Sequence, residues 1–216
     1  TSEKIDNVRK ITNSSSGKLG CTIANKLIQS NEEQIEKIYY ICSKSSFKPI
    51  HPKIQIIEIT DTKDLEISVK GLLTSNKIDY FIHSMAVSDY SVDYVTTAEN
   101  LALNISSNTN KSVIDLICSN KENLNDNKIS SNKENLIIKL KKTPKIISMI
   151  KDISPSTYLV GFKLLDNVSE KELIDTAINL KNKNNCNLVV ANDLENIRKG
   201  SHKAFIIKGA NDYTIA

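Results

Sequence analysis

The stretch from Asp6 to Gly20, Asp-Asn-Val-Arg-Lys-Ile-Thr-Asn-Ser-Ser-Ser-Gly-Lys-Leu-Gly, holds the residue types best suited to receive an anion. Small, polar and flexible residues stand directly ahead of a helical pattern in which Leu19, Ile23, Leu27 and Ile28 share one face. The spacing predicts a helix from near Ser16. Its first backbone N–H groups lack intrahelical partners and point back into the Asn13 to Gly17 turn, a seat for phosphate or carboxylate. Gly17 and Gly20 let main chain approach a ligand closely. Plain helix capping is the commoner use of a serine-rich turn, and the stretch alone leaves both readings open. Two sharper motifs fail. A Walker-type loop needs Gly where Thr12 stands and Ser or Thr where Leu19 stands, and no Gly-x-Gly-x-x-Gly run occurs. Asn13-Ser14-Ser15 fits a glycosylation acceptor, but nothing else in the sequence suggests secretion.

Other chemistries find little support. Cys21, Cys42, Cys118 and Cys186 are far apart and form no Cys-x-x-Cys pair, which speaks for a reducing cytoplasm and against a zinc site or disulfide framework. With only His51, His83 and His202, a histidine metal cluster is not expected. The net charge of +4 comes from scattered lysines without an Arg-rich or aromatic-basic stripe, so no nucleic-acid partner is expected. No apolar run reaches membrane-spanning length, and no membrane partner is expected either.

The elements that must position the turn alternate between strand and helix. Ile38 to Cys42 and Ile54 to Ile59 read as strands, the second followed by Asp61 as the cap of a helix carrying Leu65, Val69, Leu72 and Leu73. Tyr80 to Val87 reads as a third strand, broken at Ser88-Asp89-Tyr90. Such alternation predicts a three-layer, Rossmann-like α/β fold, a mostly parallel sheet with helices on both faces. Ligands bind such sheets beyond the carboxyl ends of the strands, so Ser84 to Tyr90 and Asn13 to Gly17 should border one crevice. From Ser91 to Asn135 the pattern weakens into a polar excursion with a helical segment near Val113 to Cys118, and residues 120–135 read as a mobile lid. Beyond it come a strand at Leu136 to Leu140, Thr143-Pro144 as cap and first-turn proline of a helix through Ile146, Met149 and Ile150, and a strand at Tyr158 to Phe162. Ser169-Glu170-Lys171-Glu172 is a capping box for a helix to about Lys183; Asn187 to Ala191 is a strand, and a hairpin turns at Gly209 to Asp212. Residues 1–216 form one domain in this reading.

Taken in order, the segments Val8 to Gly20, Met85-Ala86-Val87-Ser88-Asp89-Tyr90, Lys128-Ile129, Lys142 to Ile147, and Val160-Gly161-Phe162 with Val190-Ala191-Asn192-Asp193 resemble phosphopantothenoylcysteine synthetase, also called phosphopantothenate-cysteine ligase, in its stand-alone bacterial form. The resemblance implies a cytoplasmic, homodimeric ligase that joins 4′-phosphopantothenate to L-cysteine through an acyl-nucleotidylate, with CTP as co-substrate and Mg2+ as cofactor. It implies catalytic roles for Asn13 and Lys128. It assigns nucleotide contacts to Ser15, Gly17, Ser84, Met85, Asp89, Lys128, Pro144, Lys145, Ile146, Ile147, Phe162 and Lys183. It assigns substrate contacts to Arg9, Asn13, Ser16 and Gly20, and no protein residue to a metal.

The sequence departs from the family pattern in places. Ser130-Ser131 stand where two further lysines are usual, Asn179 replaces a nucleotide-contacting lysine with Lys181 as a substitute, and Pro144-Lys145 replaces Pro-Asp. The resemblance also implies a Gly-rich segment and strand ahead of Thr1 and a helix after Ala216. Two other classes stay in play: a non-catalytic nucleotide-binding module, and, weakened by the missing glycine fingerprint, a nicotinamide-dependent oxidoreductase. CTP and ATP are not distinguished by the sequence.

Overall fold

The computed structural model describes residues 1–108, 110–119, 128–200, 203–210 and 212–216. A short antiparallel hairpin, β1 (Ser2–Lys4) and β2 (Lys10–Thr12), leads into α1 (Lys18–Asn31). Next come β3 (Ile38–Ser43), β4 (Ile54–Ile59), α2 (Thr62–Ser75) and β5 (Tyr80–His83). An arm follows, made of β6 (Tyr90–Thr97), α3 (Ala98–Ser107), α4 (Val113–Ser119) and β7 (Leu136–Lys142). The chain closes with α5 (Ile146–Ile153), β8 (Tyr158–Leu165), α6 (Glu170–Lys183), β9 (Leu188–Asp193), α7 (Leu194–Arg198), β10 (Ala204–Gly209) and β11 (Asp212–Ile215).

The main sheet runs β11-β10-β9-β8-β5, with β5, β8 and β9 parallel, β10 antiparallel to β9, and β11 antiparallel to β10. Strands β3 and β4 form a further parallel pair. Side-chain alternation sorts the helices between two faces. Ile41, Ile57 and Ile59 join the core that buries Leu65, Val69 and Leu73 of α2, Ile146 and Ile150 of α5, and Leu173 and Ala177 of α6. Tyr40 and Cys42 point the other way, where Tyr40 meets α1 at Gly20. The expected α/β fold, a mostly parallel sheet between helices, is the fold observed. Ile150, Leu159, Val69 and Ile207 are wholly buried, each side chain contributing roughly 1.5–3 kcal/mol of transfer free energy.

The caps read from sequence hold at α2, where Asp61 accepts from Asp64 N at 2.9 Å, and at α6, where Ser169 Oγ accepts from Glu172 N at 3.2 Å. Other boundaries move. Helix α1 starts at Lys18, and Leu19 is exposed while Ala24 and Ile28 are buried, because Gly20 rather than Leu19 faces the sheet. Strand β5 stops at His83 instead of Val87, since Ala86 and Ser88 spend their backbone groups on Asn13, Thr1 and Thr143. The polar excursion contains a full strand, β6, paired with β7 through a register shift near Asp93, and an extra helix, α3, capped by Thr97. The cap of α5 is Lys145 rather than Thr143, whose hydroxyl donates instead to Ser88 O at 2.6 Å.

Candidate functional site

The Asn13 to Gly17 turn takes its shape from Gly17. This residue has φ +75°, and a Cβ there would stand 2.8 Å from Ser46 Cβ. The turn is tied to the β3-β4 loop, where Phe47 N donates to Ser16 O at 3.0 Å and Tyr40 Oη donates to Phe47 O at 3.2 Å. Burial pushes the Tyr40 phenol up to about 12, so it remains a donor across the physiological range. No side chain caps α1, and its first turn carries no acidic residue. Lys18 N donates weakly to Ser16 Oγ at 3.4 Å, and no acidic side chain offsets the helix dipole at the turn, which suits it to an anion. Ser15 and Ser16 are exposed there. A Cβ at Gly20 would lie 3.3 Å from Tyr40 Oη and 3.4 Å from Ser84 Oγ, so the glycine sits where α1, β3 and the end of β5 converge.

The second wall is the chain after β5. Asn13 Nδ2 donates to Ala86 O at 3.1 Å, the same carbonyl that accepts from Thr1 N at 3.0 Å, and Ser88 N donates to Thr1 Oγ1 at 2.9 Å. The turn and the loop thus lie side by side at the carboxyl end of β5. The start of α5 closes a third side. Thr143 N donates to Asp89 O at 3.0 Å, and Lys145 Nζ pairs with Asp89 Oδ1 at 2.5 Å. Both side chains of that pair are mostly exposed, so their attraction is weak and Asp89 can exchange its partner for a ligand donor. Met85 packs partly against the core, in which Ile146 and Ile147 of α5 are buried. Pro144 precedes them in the connection from β7. His83, at the end of β5, is held neutral, burial lowering its pKa to about 4.

The remaining predicted residues divide. Phe162 lies one register step beyond the His83 and Gly161 pair, level with the point where the chain leaves β5 at Ser84. Arg9 Nη2 donates to Ile129 O at 2.7 Å, and Lys128, the residue before Ile129, is exposed. Lys183 does not join the group. Helix α6 runs antiparallel to the strands, and Asn187 N donates to Leu159 O near the start of β8, so Lys183 stands at the amino edge of the sheet. Of the expected lid, residues 120–127 lie outside the described residues. Within 128–135, Ile129 is buried. Reading the sequence missed Asp6 and Tyr40. The Asp6-Asn7-Val8-Arg9 spacing, an aspartate bonding back to main chain two and three residues on, is the signal that marks Asp6.

Among the described residues no helix is long and apolar enough to cross a membrane, and no three His, Cys, Asp or Glu side chains group to hold a metal ion. The sequence profile of the DNA/pantothenate metabolism flavoprotein C-terminal domain matches residues 1–123 and 95–213. The coenzyme A biosynthesis bifunctional protein CoaBC of Thermococcus kodakarensis is 32% identical over 90% of this chain and 40% of its own length. The CoaBC of Methanocaldococcus jannaschii is 29% identical over 90% of this chain and 38% of its own, so the chain spans about two fifths of these relatives. A crystal structure of the DNA/pantothenate metabolism flavoprotein from Streptococcus pneumoniae superposes with a TM-score of 0.85 at 38% identity, covering 100% of this chain and 88% of that one. A Cab2 mutant in complex with phosphopantothenate-cysteine shares the fold, with a TM-score of 0.68 at 16% identity over 100% of this chain and 77% of that one.

Proposed function

This chain belongs to the DNA/pantothenate metabolism flavoprotein C-terminal domain family, and we propose on that premise that it is a phosphopantothenate-cysteine ligase of coenzyme A biosynthesis, driven by CTP. The observation that carries this reading is the bond from Asn13 Nδ2 to Ala86 O, which sets an amide between an open helix N-terminus and the Ser84 to Asp89 loop. Relatives of coenzyme A biosynthesis, and a protein of like fold in complex with phosphopantothenate-cysteine, support the substrate class.

In the first step a carboxylate oxygen of 4′-phosphopantothenate attacks the α-phosphorus of CTP. The bond to the bridging oxygen breaks, and pyrophosphate leaves with that electron pair. Lys128, on its exposed segment, neutralises charge building on the α-phosphate oxygens. The open end of α1 receives a phosphate group of the ligands, with Gly17, Ser15 and Ser16 lining it. Asp89 and the backbone of residues 144–147 hold the nucleoside, with Ser84, Met85 and Phe162 along its edge. In the second step the cysteine amine attacks the acyl carbon, CMP departs, and the ammonium proton passes to solvent. Asn13 donates to the acyl oxygen as charge gathers there, and Arg9 holds the anionic end of the pantothenate substrate.

Magnesium, which the family implies, has no resident cage among the described residues. In this reading it enters on the triphosphate. Two copies pair in the cytoplasm and complete each site across their interface.

The test is release of pyrophosphate and nucleoside monophosphate with 4′-phosphopantothenate, magnesium and either CTP or ATP, with and without cysteine. We expect release that requires phosphopantothenate and coupled product once cysteine is added, with CTP preferred. Lys128→Gln should lower pyrophosphate release by about 100-fold or more in a protein with unchanged circular dichroism. Near-normal release in that variant refutes the role of Lys128. No release with either nucleotide from folded wild-type protein refutes the ligase and leaves a nucleotide-binding module.

A further inference from the structure

We propose that Asp6 is a positioning residue for Lys128, fixing the peptide on its carboxyl side through a clamp that it builds with Arg9. This rests on the proposed role of Lys128 in nucleotidyl transfer. The Asp6 side chain is only 1% exposed, yet its carboxylate accepts five hydrogen bonds. Oδ1 takes Val8 N at 2.8 Å and Arg9 N at 2.6 Å, while Oδ2 takes Arg9 Nε at 2.9 Å, Arg9 Nη2 at 2.6 Å and Ile129 N at 3.1 Å. Arg9 Nη2 then donates to Ile129 O at 2.7 Å. Both backbone groups of Ile129 are therefore held by a hairpin some 120 residues earlier in the chain, and its side chain is 1% exposed.

Lys128 is exposed beside this anchor, and so is Ser130. Holding Ile129 N fixes the peptide plane that Lys128 shares with it, so the lysine swings from a set base instead of a free loop. The same hairpin carries the reaction's other end. From Arg9 the chain runs through β2 to Asn13, about 13 Å at extended spacing, which leaves room for a ligand between lysine and asparagine. Lys128 and Asn13 are thus placed by one short segment. The Arg9 guanidinium holds the Asp6 carboxyl well below the usual carboxylate range, so the clamp stays charged wherever the ligase is assayed.

Asp6→Asn is the informative variant. An amide of the same shape must aim an NH2 group either at Val8 N and Arg9 N or at Arg9 and Ile129 N, so one side of the clamp breaks. We expect amide hydrogen exchange over residues 128–131 at least about tenfold faster than in wild type, with β8 and β9 unchanged. We also expect kcat for pyrophosphate release at least about tenfold lower, with KM for CTP within about twofold, because the lysine acts in the transition state. Should Asp6→Asn fail to fold, Ile129→Ala loosens the same anchor while sparing Asp6 and Arg9, and the same two changes are expected. Wild-type exchange in the folded variant overturns the proposal. Faster exchange with unchanged kcat, while Lys128→Gln is inactive, overturns the positioning role and leaves the ligase reading standing. Wild-type release by Lys128→Gln removes the ligase role of Lys128 and this proposal with it.

Discussion

In the ligase reading proposed above, the Asn13 side chain serves both structure and chemistry. One N–H of its amide donates to Ala86 O, and the second N–H of the same nitrogen is left for a ligand. Aspartate is nearly isosteric but sets a carboxylate oxygen against that carbonyl and a negative charge beside the phosphate seat. With Asn13→Asp we expect the nucleotidyl intermediate to form and pyrophosphate to appear, while ligated product falls by about 100-fold, a loss of about 3 kcal/mol in the second step. A quenched single-turnover assay with cysteine resolves the two steps, and an unchanged product yield would take Asn13 out of the mechanism. The residues of the turn and of the Ser84 to Asp89 loop were legible because local rules place them: glycine ahead of a helix, polar residues after an apolar run. Asp6 was not, since its meaning depends on Ile129, a partner 123 residues away that no local rule supplies. Lys183 shows the converse. It fits a motif by type, and only the antiparallel course of α6 reveals that it stands at the other end of the sheet.

At the scale of elements, α1 depends on the residue that caps it more than on its apolar face. Gly17 holds φ +75°, which costs an L-residue roughly 1–2 kcal/mol, and an added methyl would also press on Ser46 Cβ. Gly17→Ala should therefore destabilise the fold by about 1–3 kcal/mol in urea titration and reduce pyrophosphate release further than that loss of stability explains, because the phosphate seat is reshaped. Ordinary activity per folded molecule would show that the turn merely caps the helix. Helices α2 and α6 were readable because Asp61 and Ser169 mark their starts by side-chain chemistry alone. Strand β6 was not. Tyr90, Val92 and Tyr94 alternate with Ser91 and Asp93 as in a strand, but the run opens a polar stretch and finds its partner β7 more than 40 residues later, with Asp93 Oδ2 accepting from Lys139 Nζ at 2.7 Å. The cap of α5 moved for a similar reason, tertiary demand for the Thr143 hydroxyl outweighing its local use.

For the whole molecule, the site is assembled from segments that the fold brings together and that few direct bonds join. Asn13 reaches Ala86 across 73 positions of sequence, Thr143 reaches Ser88 across 55, and Arg9 reaches Ile129 across 120. A ligand that touches all of them binds the folded state alone and must stabilise it by mass action. At about 100 times its Kd the gain is roughly 2.7 kcal/mol. For a chain of this size that raises the melting temperature by roughly 5–10 °C. Magnesium with CTP should give a shift of this order, and 4′-phosphopantothenate a further one through Arg9 and the α1 turn. NADH should give none. Lys128→Gln should keep most of the CTP shift, since a cation that acts on transition-state charge adds little to ground-state affinity. That pattern, undiminished binding with lost turnover, is what separates a ligase from a module that only holds nucleotide: the module would show the shift and have no turnover for Lys128→Gln to remove. Absence of any shift with CTP or ATP would defeat both readings together, because each needs the crevice between the Asn13 turn and the start of α5 to take a nucleotide.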